Sequence, residues 1–278
     1  MNPHTTPTTG ADCPPLLELR QLGIAYGDAA AGAKRWVLRD IDLSIRDGEF
    51  VTLMGSSGAG KSTLLNLVAQ TLQPSAGQIV FRGTTVGGAD MPPSPGSHRQ
   101  IGYVTQDDNL LPWRTVWDNV MFPLMLAGRP SAADTARVQR LLEQVGLAAW
   151  AKHYPHQLSG GMRKRASLAR TLAYSPPVVL MDEPFGALDA ETRAQLQSDL
   201  LKLWSSDRKT ILFVTHDINE AIALGDRIVV LSGSPGRVVL ERHIDIERPR
   251  DPELIFKAPT FAAHYDAVRA CLRGTAHA

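Results

Sequence analysis

The chain has 278 residues, of which 44% are hydrophobic, so it can bury a sizeable core in one large domain or two modest ones. Its 29 basic and 28 acidic residues give a net charge of +1, which offers no charge excess for binding nucleic acid or an anionic membrane surface. No apolar run approaches the ~18–20 residues of a membrane span, so a role at a membrane would need another chain to cross it.

The apolar pattern predicts strands and helices that alternate along most of the chain. The predicted strands are Leu16–Leu19, Val37–Ile45, Phe50–Met54, Gln78–Phe81, Ile101–Val104, Pro177–Met181, Thr210–Thr215 and Arg227–Ser232. The predicted helices are a short one from about Leu64 to Leu72, then Trp113–Leu126, Ala132–Val145, Met162–Ala173, Ala190–Trp204 and Asn219–Leu224. Such alternation is typical of a parallel sheet covered by helices on both faces.

The ends and loops of the chain have a different composition. The first fifteen residues are rich in Thr and Pro and are predicted to be disordered, and Gly27–Gly32 and Gly87–Ser97 are predicted loops. The C-terminal segment Leu254–Arg273 is predicted to be mostly helical, with an interruption at Pro259, and to pack against the core. Cys13 and Cys271 lie near opposite ends, where free thiols are favoured over a disulfide, although a bridge stays open.

A glycine-rich loop follows the strand Phe50–Met54 and precedes the first helix. It fits the pattern G-x-x-x-x-G-K-[ST] with Gly55, Ser56, Ser57, Gly58, Ala59, Gly60, Lys61 and Ser62. Glycines let backbone N–H groups surround phosphate oxygens, and the helix start adds the positive end of its dipole. Lys61 is predicted to bind the β- and γ-phosphates, Ser62 to ligate Mg²⁺, and Thr63 to extend the binding site.

Two acids end the apolar run at Pro177–Met181. In folds with such a phosphate loop, an acid at this strand end holds Mg²⁺ through water, and we assign that role to Asp182. Glu183 is then placed to accept a proton from the attacking water or to orient it. The alternative to these roles is that both acids are simply solvated at the end of the strand. The presence of the phosphate loop in the same chain favours the catalytic interpretation.

The stretch Leu158–Met162 resembles the LSGGQ signature that defines the ABC ATPase family, with Met162 where the family usually has glutamine. Ser159, Gly160 and Gly161 would form a second phosphate site at a helix start. The resemblance implies that this site contacts the γ-phosphate bound by a second copy of the chain. Two ATP molecules would then lie between two chains.

Other motifs of that family occur in order along the chain. Tyr26 matches the aromatic residue that stacks on adenine, and Gln106 matches the glutamine that reaches Mg²⁺ or the attacking water and senses the membrane partner. Ala187-Leu188-Asp189 matches the D-loop at the dimer interface, and His216 matches the histidine that contacts the γ-phosphate. Taken alone, Gln106 and His216 favour the ordinary roles of a loop glutamine and a strand-end histidine, and the alternative for Tyr26 is a partly buried packing residue. The order of the motifs favours the functional interpretation instead.

The resemblance implies an α/β fold with a RecA-like P-loop NTPase core, whose sheet is mostly parallel, together with an antiparallel β subdomain and an α-helical signature subdomain. The expected boundaries are a tail at 1–15, an ATPase domain at 16–245 with its helical subdomain at about 107–165, and a mostly helical tail at 246–278. Bound ATP and Mg²⁺ are expected, with Glu183, His216, Gln106 and Lys61 as the catalytic residues.

Several stretches look like the nitrate, sulfonate and taurine importer group. They are Asn109–Val120, Leu158–Arg165, Asp182–Asp189 and Ile246–Asp251. In that group two transmembrane permease subunits form the path, a solute-binding protein delivers the substrate, and two ATPase chains lie at the cytoplasmic face of the cell membrane. Alternatives are the ATPase of an exporter or lipid-extracting complex, a soluble ABC protein without a transport role, and a binding module that has lost catalysis. No nucleic acid partner is expected.

The residues after Gln106 are candidates for the groove that receives a permease. They are Leu110, Leu111, Trp113 and Trp117. An aromatic patch on a surface often marks an interface. For Trp113 we favour the groove, whereas for Trp117 packing within the helical subdomain is equally favoured.

Overall fold

The computed structural model describes residues 14–27, 34–91, 100–186 and 188–274. The predictions made for residues 1–13, 28–32 and 92–97, and for Ala187, lie outside these ranges. Cys13 is outside them too, whereas Cys271 is a free thiol. Within the described ranges, no helix has both the length and the apolar character needed to cross a membrane.

The described residues form ten strands and seven helices. The strands are β1 Leu17–Tyr26, β2 Arg35–Ile45, β3 Phe50–Gly55, β4 Ala76–Phe81, β5 Thr84–Gly88, β6 Ile101–Val104, β7 Val178–Asp182, β8 Thr210–Val214, β9 Arg227–Ser232 and β10 Arg237–His243. The helices are α1 Lys61–Val68, α2 Val116–Ala127, α3 Ala132–Gln144, α4 Gly160–Ala173, α5 Ala190–Ser206, α6 Ile218–Leu224 and α7 Phe261–Gly274.

The main sheet has the strand order β10-β9-β3-β8-β7-β6. The pairs β9–β3, β3–β8, β8–β7 and β7–β6 are parallel, and only β10 runs antiparallel to its neighbour. The carboxyl ends of β3, β8, β7 and β6 therefore meet at one edge. Loops that leave this edge are the usual place for ligands in an open α/β sheet.

Alternating side chains of the main sheet pack against helices on opposite faces, as the sequence predicted. Val178 and Leu180 of β7 pack with the buried leucines of α1. Val179 and Met181 point the other way and pack with α5, including Trp204. This alternation follows from the two-residue period of a strand, and it confirms an α/β fold with both faces of the sheet covered.

Two further layers adjoin the main sheet. One is an antiparallel sheet with the order β2-β1-β4-β5, whose apolar side chains share a core with α1. The other is formed by α2, α3 and α4, which bury a separate cluster around Val120, Leu142 and Ala166. The boundaries predicted for a helical subdomain, about 107 and 165, stay predictions, and α4 itself continues to Ala173.

Several local predictions were wrong. The helix predicted from Trp113 begins at Val116, because the Thr115 side chain accepts a hydrogen bond from the backbone N–H of Asp118 and caps the helix there. The loop predicted from Gly87 begins later, since β5 continues to Gly88, and neither β5 nor β10 was predicted as a strand. Glycine-rich and solvent-exposed strands carry little apolar signal, so tertiary pairing determines them.

The C-terminal segment packs against the core, as expected. A single 3₁₀ turn at Ile255–Lys257 precedes α7, and Ile255 and Val268 are buried against α6 and β9. Arg250, almost fully buried, donates hydrogen bonds to the backbone carbonyls of Ile222, Gly225, Ile244 and Ile246. These bonds tie the segment to the end of α6, and burial lowers the pKa of Arg250 to about 10.

Candidate nucleotide site

The predicted phosphate, metal and catalytic residues lie in loops at the carboxyl edge of the main sheet. The glycine-rich loop follows β3, and His216 follows β8. Asp182 ends β7 with Glu183 directly after it, and Gln106 follows β6. Because β8 lies between β3 and β7, the His216 loop lies between the glycine-rich loop and the acids. Residues far apart in sequence are thereby brought to one place.

The conformation of the glycine-rich loop requires two of its glycines. Gly58 and Gly60 have φ angles of +82° and +89°, which side-chain-bearing residues rarely adopt. A Cβ on Gly60 would also lie 2.6 Å from Leu38 Cδ2 of β2. Ser56, Ser57 and Gly58 are exposed while Ala59 is buried, so one side of the loop is open for a ligand.

Lys61 begins α1 and folds back over the loop. Its Nζ donates hydrogen bonds to the carbonyl oxygens of Gly55, at 2.9 Å, and Ser56, at 3.1 Å. These contacts hold the ammonium group above the loop. The adjacent residues Ser62, exposed, and Thr63, half-buried, occupy the first turn of the same helix.

The Asp182 carboxylate and the Ser62 hydroxyl are neighbours. Burial raises the pKa of Asp182, while a hydrogen bond from Ser62 and the charge of Lys61 act in the opposite direction. Mg²⁺ takes hard oxygen donors and usually keeps several waters and phosphate oxygens, so it needs few protein ligands. One hydroxyl and one carboxylate fit this requirement, even though the described residues contain no cluster of three or more His, Cys, Asp or Glu side chains.

Glu183 is held in an unusual backbone conformation. Its φ is +43°, although it is not glycine and precedes Pro184. Its backbone N–H donates to the carbonyl of Val214 at 3.1 Å, which ties the end of β7 to the end of β8. Its Oε2 atom lies 3.3 Å from Nδ1 of the exposed His216. Strained residues held in this way are common at functional sites.

Gln106 is exposed, and the loop around it is held by basic residues of α4 that we did not predict. Lys164 Nζ donates to the Gln106 carbonyl, and Arg163 forms an ion pair with Asp108 at 3.0 Å. Arg170 donates to the carbonyls of Asp108 and Asn109. The helix that begins at the signature is therefore bonded directly to the loop that carries Gln106.

The segment after this loop is organised by one buried amide. Asn119 of α2 is fully buried, accepts a hydrogen bond from the N–H of Leu111 at 2.7 Å, and donates to the carbonyls of Leu111, Arg114 and Thr115. Leu110 and Trp117 pack into the helical cluster, but 71% of Trp113 is exposed. Asn119 thus shapes the surface that presents Trp113.

Asn119→Ala is expected to lower the free energy of unfolding by about 2–4 kcal/mol, because it leaves a cavity and several buried backbone groups without partners. Urea unfolding followed by circular dichroism measures this change. Asn219→Ala, at an exposed site in the first turn of α6, is the control and should change stability by less than about 0.5 kcal/mol. An equal effect of the two substitutions would contradict the role of Asn119.

The signature forms the start of α4. Ser159 is the N-cap, and its Oγ accepts a hydrogen bond from the N–H of Met162 at 3.3 Å. Ser159 is exposed, whereas Gly161 is buried against Thr192 of α5. Met162 packs partly into the helical cluster, so its side chain contributes to packing.

Gly161→Ala is expected to reduce the free energy of unfolding by about 1–3 kcal/mol, because the Thr192 side chain or the helices α4 and α5 must shift to admit the methyl group. The added Cβ would lie only 2.7 Å from Thr192 Cγ2. Gly160→Ala is the matched control for stability, since its Cβ would meet no atom nearer than 3.8 Å. Denaturant titration of both variants measures the difference, and a larger loss for Gly160→Ala would contradict this packing argument.

The two remaining predicted binding residues lie on other elements. Tyr26 ends β1, is 50% exposed and pairs with Arg35 of β2. The strand β2 also carries Leu38, whose side chain lies against Gly60 of the glycine-rich loop. Asp189 caps α5, where its carboxylate accepts a hydrogen bond from the N–H of Thr192 at 2.9 Å and has a lowered pKa because of that bond. Asp189 thus bonds the same residue, Thr192, that packs against Gly161 of the signature.

Known proteins resemble this chain over most of its length. A sequence-family profile described as "ABC transporter" matches residues 38–186. The aliphatic sulfonates import ATP-binding protein SsuB 1 of Xanthomonas axonopodis pv. citri (strain 306) is 47% identical over 218 residues, which cover 78% of this chain and 83% of that protein. The taurine import ATP-binding protein TauB of Pseudomonas entomophila (strain L48) is 46% identical over 230 residues, covering 83% of this chain and 84% of that protein.

A solved structure shows the same relation at the level of the fold. A dimeric ATP-binding cassette in a post-hydrolysis state, bound to ADP and Pi, matches with a TM-score of 0.70 and 34% identity, covering 83% of this chain and 100% of that one. Together with the loops gathered at the carboxyl edge of the sheet, these similarities lead to one conclusion: the chain belongs to the ABC transporter family, as an ATP-binding cassette.

Proposed function

We propose that this chain is the ATP-hydrolysing subunit of an importer that takes up a small anion, a sulfonate, taurine or a nitrate-type molecule, through separate membrane subunits. The observation that carries the enzymatic part is the convergence of Lys61, Asp182, Glu183 and His216 at one edge of the sheet. The names of the similar import proteins support the direction of transport and the class of cargo.

In the proposed reaction, the glycine-rich loop and Lys61 bind the phosphates of ATP, and Ser62, Asp182 and Gln106 hold Mg²⁺. The metal supplies charge neutralisation at the phosphates. Glu183 accepts the proton of the attacking water, while His216 contacts the γ-phosphate and lies beside Glu183. Phosphoryl transfer depends mostly on positioning and charge stabilisation, which these groups provide.

The proposed working unit contains two copies of the chain. Gly160 and Gly161 begin α4, and Ser159 and Asp189 are the N-caps of α4 and α5, whereas Lys61 contacts its own loop. A second copy placed head to tail would bring these signature residues to the other chain's phosphates, and Tyr26 would stack on adenine. The dimeric form of a similar cassette supports this arrangement.

The proposed membrane partner is a pair of permease subunits that dock at the surface around Trp113, at the cytoplasmic face of the membrane. A solute-binding protein delivers cargo to them. A bulky aromatic side chain with 71% exposure is a favourable contact for a partner. Dimer closure would move this surface, because α4 bonds the Gln106 loop directly.

A pull-down tests the partners. The tagged chain with Glu183→Gln, supplied with ATP, is used to recover proteins from detergent-solubilised membranes of the source organism, and mass spectrometry identifies them. We expect a polytopic membrane protein together with a solute-binding protein. Recovery of export or lipid-extraction components, or of ribosomal or DNA-associated proteins, would overturn the importer proposal and leave the ATPase assignment intact.

The cargo is tested by uptake in cells. A strain that lacks the gene, complemented with the native chain, is expected to regain uptake of labelled taurine or of an alkanesulfonate, and the same strain complemented with Lys61→Ala is not. Taurine, an alkanesulfonate and nitrate are supplied separately. Equal uptake of all three with and without the gene would contradict the proposed cargo class.

A further inference from the structure

A buried carboxyl group lies directly behind the loop that carries His216. Glu220, in the first turn of α6, is only 7% exposed. Its Oε1 accepts a hydrogen bond from Nε2 of Gln197 at 2.9 Å, and its Oε2 accepts one from Oγ1 of Thr215. Burial raises the pKa of Glu220, and the nearest formal charges that act on it are those of Asp217 and Arg193. None of the roles described above uses this group.

Thr215 connects Glu220 to both sides of His216. Its backbone N–H donates to the carbonyl of Leu53 on β3 at 3.1 Å, and its Oγ1 accepts a hydrogen bond from the N–H of Asp217 at 3.0 Å. The residue before His216 and the residue after it are thus joined through one hydroxyl group. Since that hydroxyl donates its own proton to Glu220, the carboxyl group determines how it is oriented.

Helix α5 holds the other side of the carboxyl group. Gln197 and Arg193 lie one turn apart on α5 and face the same loop. Arg193 forms an ion pair with Asp217, with 3.8 Å between NH1 and Oδ2, and its NH2 donates to the carbonyl of Leu188 at 2.9 Å. The segment before α5, which ends in Asp189, is therefore in contact with the His216 loop through α5.

We propose that Glu220 is a positioning residue for ATP hydrolysis: its hydrogen bonds to Thr215 and Gln197 fix the loop that carries His216 against α5. His216 then stays within reach of Glu183 and of the γ-phosphate. This inference rests on the role proposed above for His216. Glu220 itself touches neither ATP nor Mg²⁺ and acts only through His216.

The first experiment compares two substitutions of Glu220 in the full-length chain. Glu220→Ala removes both hydrogen bonds and is expected to lower kcat for ATP hydrolysis about tenfold, with KM for ATP changed less than about twofold. Glu220→Gln can still accept from Gln197 and can donate to Thr215, so its kcat should lie within about threefold of the native value. If Glu220 had only a packing role, both substitutions would change the stability of the chain and neither would change kcat.

A matched control lies at the start of β8, the strand that leads into the His216 loop. Thr210 begins β8, is fully buried, and accepts a hydrogen bond from the N–H of Gly48 at 2.9 Å. Thr210→Val should lower the unfolding temperature yet leave kcat within about twofold of native, because the bond it removes is far from the nucleotide edge. If Glu220→Ala does not yield folded protein, Thr215→Val breaks the same link and is expected to give the same tenfold loss.

The decisive comparison combines the substitutions with His216→Ala. If Glu220 acts through His216, Glu220→Ala should lower the residual hydrolysis of the His216→Ala chain by less than about twofold, as measured in single turnovers at high protein concentration. An equal tenfold loss in both backgrounds, or an unchanged kcat in folded Glu220→Ala, would overturn the proposal. Native activity in His216→Ala alone would instead refute the proposed role of His216, so the two failures are distinguishable.

Discussion

Glu183→Gln is expected to lower the rate of ATP hydrolysis by about 10²–10⁴-fold while ATP affinity stays within about threefold of native. The amide has the shape of the carboxylate but cannot take a proton from water. Glu183 Oε2 lies 3.3 Å from Nδ1 of His216. The backbone of Glu183 has a positive φ and is held by its hydrogen bond to the Val214 carbonyl. The substitution should therefore leave the geometry of the site intact.

Two measurements separate chemistry from binding in this variant. Phosphate release reports the hydrolysis rate, and fluorescence of a labelled ATP analogue reports affinity. We also expect ATP to shift Glu183→Gln to a dimer in size-exclusion chromatography, because ATP that is not hydrolysed keeps the two chains closed. Glu143→Gln, at an exposed position on α3, is the matched control and should hydrolyse ATP normally. Near-native turnover in Glu183→Gln would contradict its assignment as the base.

The second large effect is expected from mixing two inactive variants. Lys61→Ala removes the charge that binds the phosphates, and Ser159→Phe blocks the signature and its helix cap, so each chain alone should lose at least about 10²-fold in hydrolysis. In a mixed dimer, one site would combine the native phosphate loop of one chain with the native signature of the other. An equimolar mixture should then regain about a quarter of native activity, since half the dimers are mixed and each has one intact site.

A matched mixture shows whether this recovery has the expected cause. Lys61→Ala mixed with Asp182→Asn damages the same half of both sites and should stay inactive at every ratio. The measurement is steady-state phosphate release as a function of mixing ratio at constant total protein. If the mixture of Lys61→Ala with Ser159→Phe is no more active than either chain alone, the shared-site arrangement is contradicted, and a site completed within one chain becomes the better account.

Most of the core could be predicted from sequence because its signals are local. The two-residue alternation of β7 and the apolar face of α1 indicate which side chains are buried, and both enter the cores found in the structure. The glycine-rich loop could also be recognised, since a phosphate cradle is built from consecutive backbone N–H groups and needs glycine at particular steps. By contrast, β10 depends on pairing with β9, a partner outside its own segment, and the start of α2 is set by the Thr115 cap, which the apolar pattern does not show.

The candidate site likewise has some features that could be recognised from local sequence and others that depend on tertiary contacts. The residue types for phosphate, metal and proton chemistry could be recognised from sequence, because those properties belong to single side chains and short motifs. The contacts between elements required the three-dimensional structure: Glu183 lies beside His216, Arg163 and Lys164 hold the Gln106 loop, and Glu220 lies behind Thr215. These contacts join residues on different elements. The order of the parallel strands in the main sheet brings them together, and no local sequence pattern encodes that order.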